Sequence, residues 1–281
     1  MIAGQSSFEL WSPRTSSGIV RLGSPLGKAG GAGSIYEVAG NPDLVIKLYH
    51  DDATAGLYTD KLVAMLENPP CLEPTEYGGR KYLQIAWPTA IVRDRSDRTC
   101  GYVMPRLPLS HATELENMMQ KAGRKLSGLP EDYQLRVLLA YNMASLLTEL
   151  HRVGHHVIDM KPVNMSIYKD VMLVVLLDCD GFSIRAQDGS RYSAMQYTPG
   201  YRVPEALNQN LSPSRLGEKQ DRFALAVIIF RLLNNGLHPY QGRPASGSNI
   251  PSSDDERVGE HLYAYGIQRS SRILPAPPSI H

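Results

Sequence analysis

Near residue 105 the sequence changes its patterning, and that change limits the folds open to the chain. Before it lie short runs rich in Val, Ile and Tyr at Ile35–Val38, Leu44–Tyr49, Tyr82–Ala86, Ala90–Arg93 and Gly101–Met104, the composition of strands. One helix interrupts them: residues 53–67 set Leu57, Leu62, Met65 and Leu66 on an approximate apolar face, and Asn68-Pro69-Pro70 ends it. Beyond residue 105, Pro130-Glu131-Asp132 opens a helix with acidic residues near the positive end of its dipole. Leu135, Leu138, Leu139, Ala144, Leu146, Leu147 and Leu150 then form a broad apolar stripe that stops at Gly154. Val171–Leu177 reads as a short buried strand, and a further helix from about Glu218 to Asn235 stops at Gly236. Residues 24–34 are dense in Gly and Ser, and the last forty or so residues are Ser- and Pro-rich and weakly patterned. The expected class is α+β: a β-rich lobe over residues 1–104 and a mainly helical lobe over 105–281, jointed near Pro105–Pro108.

Composition narrows the function. With 281 residues and 42% hydrophobic content, the chain can bury the core of one large domain or two modest lobes. A net charge of +1 offers no field for nucleic acid, a membrane surface or a polyanion. The three cysteines, Cys71, Cys100 and Cys179, form no CxxC pair and are odd in number, which argues for a reducing compartment. Met1–Pro13 lacks the basic and apolar regions of a signal peptide, and the most apolar stretch, Phe223–Phe230, is too short to span a bilayer. A soluble cytoplasmic protein is expected.

The chemistry-bearing residues fall in a fixed order. Gly27-Lys28-Ala29-Gly30-Gly31-Ala32-Gly33 precedes a strand; without Cβ atoms such a stretch lets backbone N–H groups approach phosphate oxygens. No Lys-Ser/Thr pair follows it, so it is not a Walker loop, and a strand rather than a helix follows, against a dinucleotide fold. Lys47, fourteen residues after Gly33, sits inside the apolar run Leu44-Val45-Ile46-Lys47-Leu48, where a cation needs a polar partner. Asp60 on the following helix is the expected partner, with Glu67 as the fallback. Asp159-Met160-Lys161-Pro162-Val163-Asn164 supplies a carboxylate, a cation and an amide oxygen within six residues, the types phosphoryl transfer uses for base, γ-phosphate cation and Mg²⁺ ligand. Asp178 follows at a strand end, a hard oxygen ligand suited to Mg²⁺. Asp221 opens the apolar helix at 218–235, as a cap or as an anchor for the backbone of the loop 157–164. Each segment alone also reads as a flexible loop, an edge strand or a polar turn.

Taken together, from about residue 20 to 245, these segments resemble the eukaryotic-type Ser/Thr protein kinase superfamily. Gly30 and Gly33 are similar to its Gly-rich loop, and Val45-Ile46-Lys47 to its strand lysine motif. Asp159 to Asn164 is similar to its catalytic loop, Asp178 to the metal-binding Asp of DFG, and Val203-Pro204-Glu205 to APE. The resemblance implies a two-lobed fold that uses ATP with Mg²⁺ or Mn²⁺. Gly27, Gly30, Gly31, Gly33, Ile35, Val45 and Lys47 would then line the nucleotide, with Met104 as gatekeeper and Pro105-Arg106-Leu107 as hinge. Asp159 and Lys161 would be catalytic, and Asn164 and Asp178 would hold the metal. Thr198, bonded to the catalytic Asp and Lys, marks Ser/Thr specificity, and Tyr192, Ser193, Tyr197 and Thr198 are candidates for autophosphorylation. Ala86-Trp87-Pro88, Gly101–Arg106, Leu177–Phe182 and His238-Pro239-Tyr240 resemble a bacterial branch. Members of that branch are fused to helix-hairpin-helix or zinc-ribbon segments, or occur with a PP2C-type phosphatase and a von Willebrand A-domain protein. The alternatives are a pseudokinase acting as a nucleotide-binding scaffold and a small-molecule kinase of the aminoglycoside phosphotransferase type.

The departures are specific. Gly27 is displaced by one residue. Val157 and Ile158 replace the His and Arg of HRD, so no guanidinium is present there to receive an activation-loop phosphate. Cys179 and Asp180 replace the Phe and Gly of DFG. The expectation is an activation segment, about 178–205, held by packing rather than by phosphate. After Tyr240 only about forty residues remain, and Arg269 and Arg272 are poorly placed to pair with Glu205. Either the chain is part of a longer protein, or its lower lobe is reduced and leans on a partner.

Overall fold

The strand-forming runs of the first hundred residues close on themselves. In the computed structural model, which describes residues 6–13, 18–27 and 31–276, the chain forms two units. One takes in the chain up to Pro108 together with Asp178–Asp180 and Ile184–Tyr192; the other takes in Leu109–Leu177, Gly181–Ser183 and the chain from Ser193 onward.

In the first unit the strands are β1 (Ser7–Trp11), β2 (Gly18–Leu26), β3 (Gly33–Val38), β4 (Asn41–Tyr49), β5 (Thr75–Tyr77), β6 (Arg80–Tyr82), β7 (Ala90–Arg93) and β8 (Thr99–Pro105). Six of them form a closed antiparallel barrel in the order β1-β2-β3-β4-β8-β7. Closure depends on β1, which pairs with β2 on one side and β7 on the other. The strand runs expected from the sequence for this β-rich lobe did not include β1. Its signal is the alternation Phe8-Glu9-Leu10, which buries Phe8 among Val20, Val38, Ile46, Val92, Cys100 and Val103 inside the barrel. The strand expected at Tyr82–Ala86 is instead β6, ending at Tyr82, paired with β5 around Gly78 and Gly79. Both glycines have positive φ, 57° and 75°, the geometry of a tight two-residue hairpin turn.

Helix α1 (Asp52–Glu67) forms as expected, capped by Asp51, whose carboxylate accepts the Thr54 N–H at 2.7 Å. It buries Leu62, Met65 and Leu66, but Leu57 is 68% exposed and does not belong to the inward face.

The second unit contains β9 (Ala112–Glu114), α2 (Leu115–Met119), α3 (Lys121–Leu126), α4 (Tyr133–Arg152), β10 (Met165–Tyr168), β11 (Val174–Leu176), α5 (Pro204–Asn208), α6 (Glu218–Leu233) and α7 (Asp254–Gly259). Asp132 caps α4 by accepting the Gln134 N–H at 2.8 Å. The helix buries Leu139, Leu146, Leu147 and Leu150 while Leu138 faces outward. The strand expected over 171–177 is shorter because Met172 turns the chain at φ 52°. Strand β10, not anticipated, pairs with both β9 and β11. Short strands Gly242–Pro244 and Ile273–Pro275 pair beyond α6, beside a small cluster of Leu262, Ala264 and Ile273. Among the described residues no helix is long and apolar enough to cross a membrane.

Candidate active site

The register of the barrel gathers residues from three strands on one face. Ile35 lies opposite Lys47, Lys47 opposite Tyr102, and Val45 opposite Met104. Opposed residues share a face, and Ile46 and Val103 occupy the barrel interior. Ile35, Val45, Lys47, Tyr102 and Met104 therefore share the outer face, which brings together four of the residues expected around a nucleotide. Gly33 adjoins this group, but its lack of a side chain has a local cause: a Cβ there would stand 2.3 Å from the Leu48 carbonyl oxygen of the paired strand. Gly27 has φ 69°, a left-handed turn that glycine adopts without penalty, and Gly31 has open space around its Cα. Gly30 lies outside the described residues. At the end of β8, the Arg106 N–H donates to the Asp43 carbonyl at 2.7 Å. Among the described residues the Leu107 N–H has no such acceptor.

Lys47 is 5% exposed, and its carboxylate is not on α1. Its Nζ donates to both oxygens of Asp180, at 2.8 and 2.9 Å, and to Asp178 Oδ1 at 3.4 Å. Asp60, the expected partner, is exposed. Successive helical residues are roughly 100° apart, so a helix that turns Leu62, Met65 and Leu66 inward turns Asp60 outward. Glu67 sits at the last residue of α1 and makes no ion pair with Lys47. The inward positions are taken instead by Tyr58, stacked on Tyr49 with centroids 4.9 Å apart, and by buried Lys61. Burial alone would lower the Lys47 pKa; the Asp180 and Asp178 charges outweigh it and hold the ammonium above its ordinary value. Breaking such a buried pair by removing one partner costs about 3–5 kcal/mol.

Sequence reasoning missed Asp180. The signal was present in the Asp178-Cys179-Asp180 spacing, and in the lack of any acidic residue at a position of α1 that also carries the apolar face.

In the second unit, α4 ends at Arg152, and Gly154, at φ 83°, turns the chain into the loop 155–164. Ile158 has φ 63°, a conformation that is a genuine outlier for a β-branched side chain and costs on the order of 1–3 kcal/mol. Asp221, fully buried in the first turn of α6, holds it there. Its Oδ1 accepts the Ile158 N–H at 2.7 Å, while Oδ2 accepts the Val157 N–H at 2.8 Å and lies 2.9 Å from His151 Nε2. Of the two roles considered for Asp221, the anchor is the one observed; Gly217 occupies the cap position.

Asp159 follows. Its Oδ1 accepts from Thr198 Oγ1 at 2.6 Å and its Oδ2 from Lys161 Nζ at 2.8 Å. The three residues expected to be catalytic thus meet at one carboxylate, Thr198 coming from 39 residues further along the chain. The Asn164 amide nitrogen donates weakly to the Asp159 carbonyl at 3.4 Å, which leaves Oδ1 of Asn164 for another partner. Leu177 N–H donates to the Asn164 carbonyl at 3.1 Å, so Asn164 runs beside the residue that precedes Asp178. Asp178 itself, at φ 53°, has a side chain 67% exposed.

The segment 194–206 packs on Ile158. Ala194, Ala206 and Leu216 form a buried cluster with it, joined by Tyr197, Val203 and Leu211. Gln220 ties the loop to this segment, accepting from Val203 N–H at 3.0 Å and donating to the Tyr201 carbonyl at 2.8 Å and the Ile158 carbonyl at 3.4 Å. Gly200 is held from beyond α6: its N–H donates to Asp255 at 2.6 Å, and His238 Nε2 donates to its carbonyl at 2.9 Å. Burial keeps the His238 pKa below its ordinary value, and Nδ1 accepts the Tyr240 N–H, so the neutral ring with a proton on Nε2 satisfies both contacts. Arg202 stacks on Tyr197 and donates to the Ala206 and Leu211 carbonyls. Glu205 is exposed and has no ion pair among the described residues; Arg272 pairs with Glu260 instead. Gln220 and Asp255 were not singled out from the sequence, because an isolated polar residue in a helix or a Ser/Pro-rich stretch carries no pattern, and His238 stood out only within His238-Pro239-Tyr240.

These features define a mixed α+β protein with a kinase-like fold. A rhoptry kinase from Toxoplasma gondii shares it with a TM-score of 0.55, over 83% of this chain and 67% of that chain, at 12% identity. In sequence, the chain is 31% identical over 270 residues to the protein kinase YegI of Escherichia coli strain K12, covering 94% of this chain and 39% of that protein. The YegI protein of Escherichia coli O157:H7 is 30% identical over 264 residues, covering 92% of this chain and 38% of that protein. The chain is thus homologous to proteins of the kinase superfamily, and it spans about two fifths of the length of the curated relatives it matches. No protein-family model matches it.

Proposed function

We propose that the chain carries out ATP-dependent phosphoryl transfer to Ser or Thr hydroxyls of a protein, itself included. The observation that carries this reading is the Asp159 carboxylate, bonded to Lys161 on one oxygen and Thr198 on the other. Each oxygen keeps a lone pair, so an incoming hydroxyl can donate to Asp159 and lose its proton there as it attacks phosphorus. Lys161 would neutralise charge on the transferred group, and Thr198 would hold the carboxylate in place. Lys47 would hold ATP phosphates beside Ile35, Val45 and Met104, and the Leu107 N–H would donate to the adenine edge. Gly27, Gly31 and Gly33 lead into the same face.

Mg²⁺, with Mn²⁺ as its substitute, would supply charge neutralisation between the β- and γ-phosphates, with Asp178 and Asn164 as its protein oxygen donors. Among the described residues no group of three His, Cys, Asp or Glu side chains is arranged for a metal. One carboxylate and one amide oxygen suit a Mg²⁺ that takes its remaining ligands from phosphate and water. The Ile158 cluster supports activity that needs no activating phosphate. A PP2C-type phosphatase and a von Willebrand A-domain protein are the partners this reading expects, testable by co-purification.

The scaffold reading is favoured by one observation: both oxygens of Asp180 engage Lys47. Incubation of the chain with γ-labelled ATP, Mg²⁺ and a generic protein substrate separates the two, with mass-spectrometric mapping of the acceptor sites. Transfer to Ser or Thr is expected, reduced by about 10²–10⁴-fold in Asp159→Ala. Nucleotide binding with no transfer above the Asp159→Ala background would overturn catalysis and leave the scaffold.

A further inference from the structure

Asp180 replaces the glycine of the motif the sequence resembles, and its surroundings give it a defined task. Its side chain is 3% exposed. A carboxylate has about four lone-pair sites, and Asp180 fills all four: Oδ1 accepts from Lys47 at 2.8 Å and Tyr102 at 3.1 Å, and Oδ2 from Lys47 at 2.9 Å and Tyr49 at 3.2 Å. No lone pair is left for a metal. Asp178, two residues away, makes only a 3.4 Å contact with Lys47 and is largely in solvent. The two carboxylates therefore divide the work.

We infer that Asp180 is the positioning residue for Lys47, in the place a carboxylate on α1 was expected to take, and that Asp178 is thereby left free as the oxygen donor. The inference rests on the reading of Lys47 as the phosphate-binding lysine. Its regulatory meaning is that Lys47 and Asp178 are set by one three-residue stretch, Asp178–Asp180. Tyr49 and Tyr102 lie on β4 and β8, so the donors to Asp180 come from the barrel. Helix α1 contributes no carboxylate to Lys47; it brings the Tyr58 ring, stacked on Tyr49, and buried Lys61, whose charge Asp180 also attracts.

The test is a double-mutant cycle on the full chain, reading kcat and KM for ATP in the transfer assay. Asp180→Asn and Lys47→Met are each expected to lower kcat/KM on the order of 100-fold, and the double variant no further than Lys47→Met alone, because Asp180 acts through the lysine. Multiplying effects would overturn the inference, as would a loss in Asp60→Asn equal to that in Asp180→Asn. Should Asp180→Asn fail to fold, Tyr102→Phe removes one donor and keeps the ion pair. Its few-fold loss should vanish in the Lys47→Met background, and persistence there overturns the inference. A second readout needs no ATP: labelling of Lys47 by trinitrobenzenesulfonate, mapped by mass spectrometry, should accelerate several-fold in Asp180→Asn. Unchanged labelling overturns the inference even if transfer is absent. A wild-type chain that transfers no phosphate while its labelling behaves as expected overturns only the functional reading.

Discussion

In each unit a buried, engaged carboxylate, Asp180 or Asp221, can be set beside a more accessible one, Asp178 or Asp159, yet the two pairs are built differently. In the first unit Asp180 is 3% exposed and Asp178 67%; in the second Asp221 is 0% exposed and Asp159 17%. Asp180 positions a side-chain cation, so two charges leave water together and the cost is desolvation, recovered by ion pairing and two tyrosine hydroxyls. Asp221 positions backbone, so its oxygens receive N–H groups of a loop whose Ile158 is held in a left-handed conformation. The first arrangement sets where a charge stands; the second sets where the loop turns and so where Asp159 points. The difference teaches that a buried aspartate can position its neighbours in two ways, through charge in one case and through backbone strain in the other.

The comparison is broken most directly at Asp221. Asp221→Ala leaves two N–H groups and a strained loop without an acceptor, and the expected loss is about 3–5 kcal/mol in urea unfolding. A loss below about 1 kcal/mol would mean that the loop does not need its anchor. The next largest effect concerns the first unit, where Lys61 adds a second buried cation. Burial lowers its pKa from 10.5 to about 8. Between these values the unfolded chain holds a proton that the folded protein has released, so the stability linked to this group rises with pH across that window. Wild type should gain on the order of 2 kcal/mol relative to Lys61→Met between pH 8 and 10. Parallel pH profiles would show that the first unit does not carry this desolvation cost. The smallest effect sharpens the second unit: Thr198→Val removes one of two donors to Asp159 and should lower kcat about tenfold with KM little changed, while Thr198→Ser retains activity.

Legibility followed the range of the interaction. Asp159, Lys161 and Asn164 lie within six residues, so their grouping was visible as a local cluster, and Thr198 was visible through the segment around it. Helices α1, α4 and α6 were visible because an apolar repeat at helical spacing is a local property. The partner of Lys47 was not, because it joins residues 133 apart in sequence and depends on which way α1 is rotated. Strand β1 escaped for a related reason: a five-residue strand is recognised by what it pairs with, and Ser7–Trp11 pairs with residues 18–21 and 91–93.

By itself the sequence determined the α+β class, the order of the segments that carry Asp159, Lys161, Asp178 and Thr198, and the presence of Ile158 where the motif it resembles has an arginine. Composition and short-range spacing are enough for that. Tertiary structure alone decided that the sheet closes into a barrel and that Ile158 packs against Ala194 and Ala206. It also decided that Lys47 answers to Asp180 rather than to Asp60. Those outcomes depend on burial and on the rotation of each element about its own axis. Both are set by the sum of weak contacts across the fold, which no single stretch of sequence encodes.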